Sequence, residues 1–431
     1  MFENVLGQPA VQQLMADLKG GVLPPSILFE GPPASGKGTA ALELGRTLSC
    51  LTPEAPWNCT CSECIKHRQL LHPDLLLVGS RDFSAEIAAA SAAYIREPES
   101  AAKLLFFRSV RKLLNRFNPQ LWEGEEARLG KLAPLITTCN EILEELSIGQ
   151  DDGTDREKLT ANLLKNVFQL EREGISDTIP IFQIRRAAYW ARLAPSGKRK
   201  LLVIENADRM QDSARNALLK ILEEPPDTTQ IVLSTAKKSA LLPTIRSRLR
   251  PYTFEPRDQR TEQEVIRRVF RDSRAFDDGS SPSLQKYLES FLPVPPEQIT
   301  RTAGLFLASL IQKAQRMLSV HSEQNRLILQ SFTQALPEPE GLQNATVRTI
   351  LTMVMKELDN FSMPLVFTDF LMQLLELCTS LLQNYQKGPE LITLVTYWKD
   401  QIKEADSAVS TFNQNPLSSL ERLFISMLEA I

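Results

Sequence analysis

Apolar and polar positions along this chain fall into three regimes, and each predicts a different architecture. Over residues 1–80 a helical pattern leads into a short apolar run, Ser26 to Phe29, then a glycine loop, a helix, a cysteine-rich knuckle and "HPDLLLVG". That last run lies between Pro73 and Gly79, as a buried strand would. From 82 to 178 only helical periodicity appears. Leu132, Leu135, Ile136, Cys139, Ile142, Leu143 and Leu146 recur at helical spacing, and Leu159, Leu163, Val167 and Leu170 form a second such face. The stretch predicts a helical insertion whose two faces pack on each other, since lone amphipathic helices are marginal in water.

Strand patterns return with "RKLLVIENAD" (199–208) and "TQIVLSTAKK" (229–238), separated by the helix of "SARNALLKILEE". Strands alternating with helices predict an α/β core built on a parallel sheet. Beyond "RLRPYTFEPRD" the strand signal stops. Residues 258–431 read as helices broken at the joints "LPVPPE" (292–297) and "LPEPEG" (336–341), and no internal repeat is visible.

Composition narrows the field. A chain of 431 residues has room for roughly two or three domains. A net charge of −3 excludes a protein coated in positive charge for gripping nucleic acid. No apolar run is long enough for a membrane helix, so no membrane partner is expected. The start, "MFENVLGQPAVQQLMADL", lacks a basic segment followed by an apolar one, which makes the cytoplasm the expected compartment. Six cysteines are too few for a disulfide scaffold, yet four of them crowd between 50 and 64.

The glycine loop carries the first chemistry. Gly31, Gly36 and Lys37 fit G-x-x-x-x-G-K, following a strand and opening a helix. Glycines let the backbone fold round phosphate oxygens with its N–H groups inward, and Lys37 would sit on the outer phosphates. The next position normally supplies a hydroxyl for Mg²⁺, and Gly38 has none. Thr39 follows one residue late, as in the G-K-G-T loops of adenylate kinases, so metal would be held through water. ATP or ADP is therefore the candidate ligand. A hydrolysing site also needs a carboxylate on a neighbouring strand and a water-positioning group beside it. "LLVIENADRM" offers Glu205 for the first, but Asn206 stands at the second, and an amide cannot take a proton from water. Asp208, two residues on, is the substitute within reach. Gly38, Glu205 and Asn206 together predict weak or absent hydrolysis.

At these residues the chain resembles a family, the clamp-loader subunits of bacterial DNA polymerase III, a branch of the AAA+ ATPases. The delta-prime type is the nearer match and the gamma/tau type its relative. The resemblance is carried by "FENVLGQPAVQQL", the loop, the knuckle, "HPDLLL" and "NALLKILEEPPDTTQIVLSTAKKSALLPTIRSRLR" (216–250). It implies a P-loop AAA+ core (1–81 and 179–257), a helical lid (258–313) and an all-helical collar (314–431). The insertion, 82–178, has no counterpart in the family's pattern. The implied nucleotide set is Gly31, Gly36, Lys37, Gly38, Thr39, Glu205 and Thr235. The implied partners are other loader subunits in a five-membered ring, with the sliding clamp and primed DNA met through the complex. In "TIRSR", Arg248 occupies the place of an arginine that enters the neighbouring subunit's ATP site, and Leu249 replaces the motif's cysteine. Leu307 stands where the lid would carry a second, γ-phosphate-sensing arginine. The chain would then complete a partner's site and do little hydrolysis itself.

Cys50, Cys59, Cys61 and Cys64 suit a tetrahedral structural zinc, which takes four soft ligands and leaves no open position. The family's spacing has one more residue between the second and third cysteines, so the hairpin is either tight or admits His67 in place of a thiol. Cys139 and Cys378 lie on helix faces and read as core. Lys103, Arg108, Arg111, Lys112 and Arg116 form a basic cluster that could meet DNA phosphates. Glu123, Glu125 and Glu126 just beyond favour a solvated helix face instead. Two rival functions share these motifs: an ATP-hydrolysing gamma/tau-type motor of the same loader, and a nucleoside monophosphate kinase. The arginine of "SRLR" and the helical third domain speak against the kinase.

Overall fold

The structure is a computed structural model that describes residues 1–80, 83–148, 153–176, 178–276, 281–292, 296–317, 345–358, 363–384, 389–410 and 414–430. The chain forms two compact units, Met1–Phe291 and Leu292–Ile431. The division falls at the first proline joint, of which 293–295 lie outside the described residues. The second joint, 336–341, lies outside them entirely.

A five-stranded parallel sheet organises the first unit. Its strands are β1 (Ser26–Glu30), β2 (Leu75–Gly79), β3 (Lys200–Glu205), β4 (Thr229–Thr235) and β5 (Arg250–Thr253), in the order β2-β3-β4-β1-β5. Every residue of β1 to β4 is buried, which is why the centre of each strand reads as an unbroken apolar run. Alternate residues serve opposite faces. Leu28, Leu76, Val78, Leu202, Ile204, Ile231 and Leu233 enter one core, while Ile27, Phe29, Leu75, Leu77, Leu201, Val203 and Val232 enter another. The second core is closed by α1 (Pro9–Lys19) and α2 (Lys37–Ser49).

The first core is closed by α4 (Ser84–Arg96), α5 (Ser100–Leu114), α6 (Glu126–Ile148), α7 (Gly153–Gly174), α8 (Ile181–Arg192) and α9 (Asp212–Glu223); α3 (Ser62–Arg68) precedes β2. The two predicted helix faces do meet. Leu132, Cys139, Ile142, Leu143 and Leu146 of α6 share a cluster with Leu163, Val167 and Leu170 of α7. That cluster is continuous with the sheet, so the helices between β2 and β3 have no separate core. Glu171 of α7 accepts from the Phe83 amide at 2.5 Å and the Ser84 hydroxyl at 2.6 Å, placing a carboxylate at the positive N-terminus of α4.

The stretch 258–313 is divided. Here α11 (Gln259–Val269) and α12 (Leu284–Glu289) pack on Ala89 of α4 through Val265, Ile266, Phe270, Leu284 and Tyr287. Pro296–Met317 belongs to the second unit, with Val347–Leu358, Met363–Asn384, Pro389–Ser410 and Pro416–Glu429. Phe306 lies edge-on to Phe370 and Phe424 in its core, and Leu307 beside it is fully buried. Asn415 caps the last helix, accepting from the Leu417 amide at 2.9 Å. No helix among the described residues is long and apolar enough to cross a membrane.

Candidate functional site

The glycine loop joins β1 to α2 at the carboxyl end of the sheet, where crevices of parallel sheets hold ligands. Gly31 has φ +149°, and a Cβ there would meet the Phe254 carbonyl at 2.2 Å. Gly36 has φ +94° and Arg257 Nη2 at 2.7 Å from the same position. Both require glycine. The Gly31 amide donates to the Thr235 carbonyl at 3.2 Å, which brings Thr235 of β4 to the loop. Gly38 and Thr39 form the first turn of α2. Lys37 is turned back on its own loop, donating to the carbonyls of Gly31 (2.6 Å) and Pro32 (2.5 Å). Arg257 reaches in from the start of the α11 segment and donates to the Ala34 carbonyl.

Each acidic side chain at this end of the sheet is matched to a neighbour. Glu205, at the end of β3, is paired with Arg116, whose side chain is only 2% exposed. Glu30, at the end of β1, accepts from Lys238 and Thr253, each at 2.9 Å. Asp208 accepts from the Thr235 hydroxyl at 2.5 Å. Asn206 takes a left-handed backbone conformation, φ +51°, and its side-chain amide donates to the Ser80 carbonyl at the end of β2. Gly31 and Lys37 share the loop, Thr235 and Asp208 are linked to it by hydrogen bonds, and Glu205 ends the strand next to β4. Arg257, Lys238 and Glu30 join the loop without being expected there, and Arg116, read in sequence as part of a basic cluster, serves Glu205 instead. Glu30 has a local signal as the charged end of an apolar strand.

The basic residues Lys103, Arg108, Arg111 and Lys112 of α5 are half-buried and Arg116 just beyond is buried, and each makes contacts within the fold. Arg108 donates to the Arg68 carbonyl at 2.5 Å, Arg111 to Gln69 at 3.1 Å and Asn115 to Leu70 at 3.0 Å. These satisfy the carbonyls at the end of α3, where cations are favoured. Lys112 pairs with Glu86, and Lys103 donates to the Ser147 carbonyl at 3.2 Å. Burial pulls the Arg108 guanidinium down to about 10, with Glu43 and Glu86 opposing.

The cysteine knuckle sits at the far end of α2. Thirteen helical residues separate its first cysteine from the loop, or about 20 Å at 1.5 Å per residue. A metal there is too distant to touch a phosphate on the loop. The sulfurs of Cys50, Cys59, Cys61 and Cys64 lie within 4.8 Å of one another, and Cys50 Sγ is 3.7 Å from Cys59 Sγ. A tetrahedron with metal–sulfur bonds of about 2.3 Å has edges of about 3.8 Å, so the set fits a metal with little adjustment. The shortened spacing is accommodated without His67. That ring is buried, shares a hydrogen bond with Ser49 Oγ at 2.9 Å and stacks on His72 at 3.9 Å. The Cys61 amide and the Thr52 hydroxyl bring the Cys59 thiol down to about 6, whereas burial pushes Cys64 up. Arg46 donates to Cys64 Sγ at 3.0 Å and opposes that rise.

"HPDLLL" also gains a physical account. The Asp74 amide donates to His72 Nδ1 at 3.0 Å, so His72 Nε2 carries the proton it shares with Glu63 at 2.7 Å. The Asp74 carboxylate accepts from the amides of Ser196 and Gly197, fixing the turn into β3. Arg248 lies just past α10 (Pro243–Arg246), exposed, donating to Glu223 at 2.7 Å and to its own helix at Thr244.

Sequence comparison places these features in a known group. The profile of the family described as "DNA polymerase III, delta subunit" matches residues 7–125 and 135–258. The match runs through most of the helices between β2 and β3, which corrects the expectation that 82–178 lacks a counterpart. DNA polymerase III subunit delta' of Pseudomonas aeruginosa is 40% identical over 91 residues, covering 21% of this chain and 28% of that protein. Its Bacillus subtilis namesake is 42% identical over 73 residues, 16% of this chain and 22% of that protein. Subunit gamma/tau of Mycobacterium bovis is 31% identical over 96 residues, 22% of this chain and 16% of that protein. This chain thus spans under a third of the length of each of these relatives. With the parallel sheet, the glycine loop and a profile match over more than half its length, the chain belongs to the DNA polymerase III delta subunit family.

Proposed function

We propose that this chain is a delta-prime-type clamp-loader subunit that supplies Arg248 to a neighbour's ATP site and hydrolyses little nucleotide itself. The contrast between Arg248 and Lys37 carries the reading. Lys37 faces its own loop carbonyls, whereas Arg248 faces outward with Glu223 as its side-chain partner. An exposed ion pair is worth about 0–1 kcal/mol, so Arg248 is cheaply released to an incoming phosphate. An arginine so placed stabilises charge developing on the transferred phosphoryl group. Gly38 and Asn206 leave this chain's own loop without the usual metal hydroxyl and water-positioning carboxylate. The loop amides and Lys37 still suit weak binding of ATP or ADP.

The four-cysteine knuckle holds a structural zinc in this proposal, closed by four thiolates and contributing folding free energy rather than chemistry. The partners are the other subunits of a five-membered loader, and the clamp and primed DNA are reached through it. In the assembled loader, Arg248→Ala should lower ATP turnover by roughly a thousandfold at the neighbouring site, while Lys37→Ala should change it little. The reverse pattern would make this chain a gamma/tau-type motor.

A further inference from the structure

We infer that Arg116 stands in for the divalent cation at the phosphate loop, so that any nucleotide held there is held without metal. The inference rests on the loop being a phosphate cradle, as proposed above. A P-loop site holds Mg²⁺ between a hydroxyl beside the lysine and a carboxylate on a neighbouring strand. The hydroxyl is missing at Gly38, and the carboxylate, Glu205, already has a full positive charge against it. Of the other two acids nearby, Glu30 has the Lys238 ammonium and the Thr253 hydroxyl on one oxygen while its second oxygen is buried without a hydrogen-bond partner, and Asp208 accepts from Thr235 on one oxygen. With no hydroxyl at Gly38 and a cation already set against both Glu205 and Glu30, the usual hydroxyl-and-carboxylate pair for Mg²⁺ is not formed.

Arg116 is built into its position. Its guanidinium lies over the Phe83 ring at 5.5 Å, and its carbonyl accepts from Trp122 Nε1 at 2.8 Å. It follows α5, which Arg108, Arg111 and Asn115 anchor to the end of α3. Moving it aside would leave a buried guanidinium beside an incoming dication, and breaking a buried pair is far costlier than breaking an exposed one. A fixed monovalent cation neutralises Glu205 at all times. It cannot bridge two phosphate oxygens and deliver an ordered water shell as Mg²⁺ does. The loop is thereby suited to holding phosphate and unsuited to cleaving it.

The test uses the full chain. ADP affinity measured in excess Mg²⁺ and in EDTA should agree within about twofold, and tightening by about tenfold or more in Mg²⁺ would overturn the inference. Mn²⁺ binding followed by electron paramagnetic resonance gives the second arm, since Mn²⁺ is a hard cation suited to carboxylate rather than thiolate. Arg116→Gln should gain a Mn²⁺ site about tenfold tighter than any in the unmodified chain, and Arg116→Gln/Glu205→Gln should lose it. A folded Arg116→Gln that binds Mn²⁺ no better than the unmodified chain would sink the idea. Should that variant fail to fold, the ADP comparison decides. If ADP binds in neither buffer, the phosphate-cradle reading fails by itself, and the Mn²⁺ comparison without nucleotide still judges Arg116.

Discussion

Removing the Arg46 side chain should strike the knuckle and the helix that leads to the phosphate loop together. Arg46 makes two bonds to Glu43, at 2.9 and 2.6 Å, and donates to the carbonyls of Ala55 (2.5 Å) and Pro56 (3.0 Å) and to Cys64 Sγ. Neither member of the Arg46–Glu43 pair is more than 1% exposed at its side chain. Arg46→Met leaves the Glu43 carboxylate buried with the Phe2 amide as its donor. Breaking one side of a buried pair costs about 3–5 kcal/mol, and each orphaned carbonyl adds about 1–3 kcal/mol where water cannot reach it. A loss of at least about 4 kcal/mol is therefore expected, a large share of the 5–15 kcal/mol that holds a typical domain. Glu43→Met/Arg46→Met removes both charges and should be more stable than the single variant, because apolar replacement of a buried pair is often near neutral. Two compact units make global unfolding a poor readout. Hydrogen exchange of the α2 and α3 amides reports the local opening free energy directly. Zinc affinity by chelator competition should fall about 10–100-fold in Arg46→Met, since Cys64 loses its hydrogen-bond donor. Exchange within about 1 kcal/mol of the unmodified chain, or a double variant weaker than the single, would refute the reasoning.

Two further outcomes concern the same region. Metal analysis of protein purified without added zinc should find close to one equivalent, and Cys61→Ser should lower it; well-folded protein free of metal would end the zinc reading. His67 is held neutral, because burial first and then His72, Arg108 and Arg46 pull it down to about 2 from an ordinary 6.5. The unfolded imidazole binds a proton below about pH 6.5 and the folded one does not, so stability falls as pH drops through that value. Between about pH 7 and 5 the loss should approach 2 kcal/mol. His67→Gln should flatten that slope in pH-dependent exchange, and an unchanged slope would count against it.

Much of the candidate site could be read from local pattern. The apolar runs of β1 to β4, the glycines at 31 and 36, the cysteine spacing and the α6 and α7 faces each depend on residues close in sequence. Such neighbours share a strand, a turn or a helix face wherever the chain goes. What escaped is the set of partners that return from far away. Arg116 reaches Glu205 across 89 residues, Lys238 reaches Glu30 across 208, and Arg257 reaches the Ala34 carbonyl across 223. A basic residue in a mixed-charge helix has the same local signature whether it faces water or a buried carboxylate. Only the packing of α5 and of the turn that follows it gave Arg108, Arg111 and Arg116 their partners at the end of α3 and the end of β3. Coulomb attraction and desolvation depend on distance and burial, and neither is written in the spacing of residues along one helix.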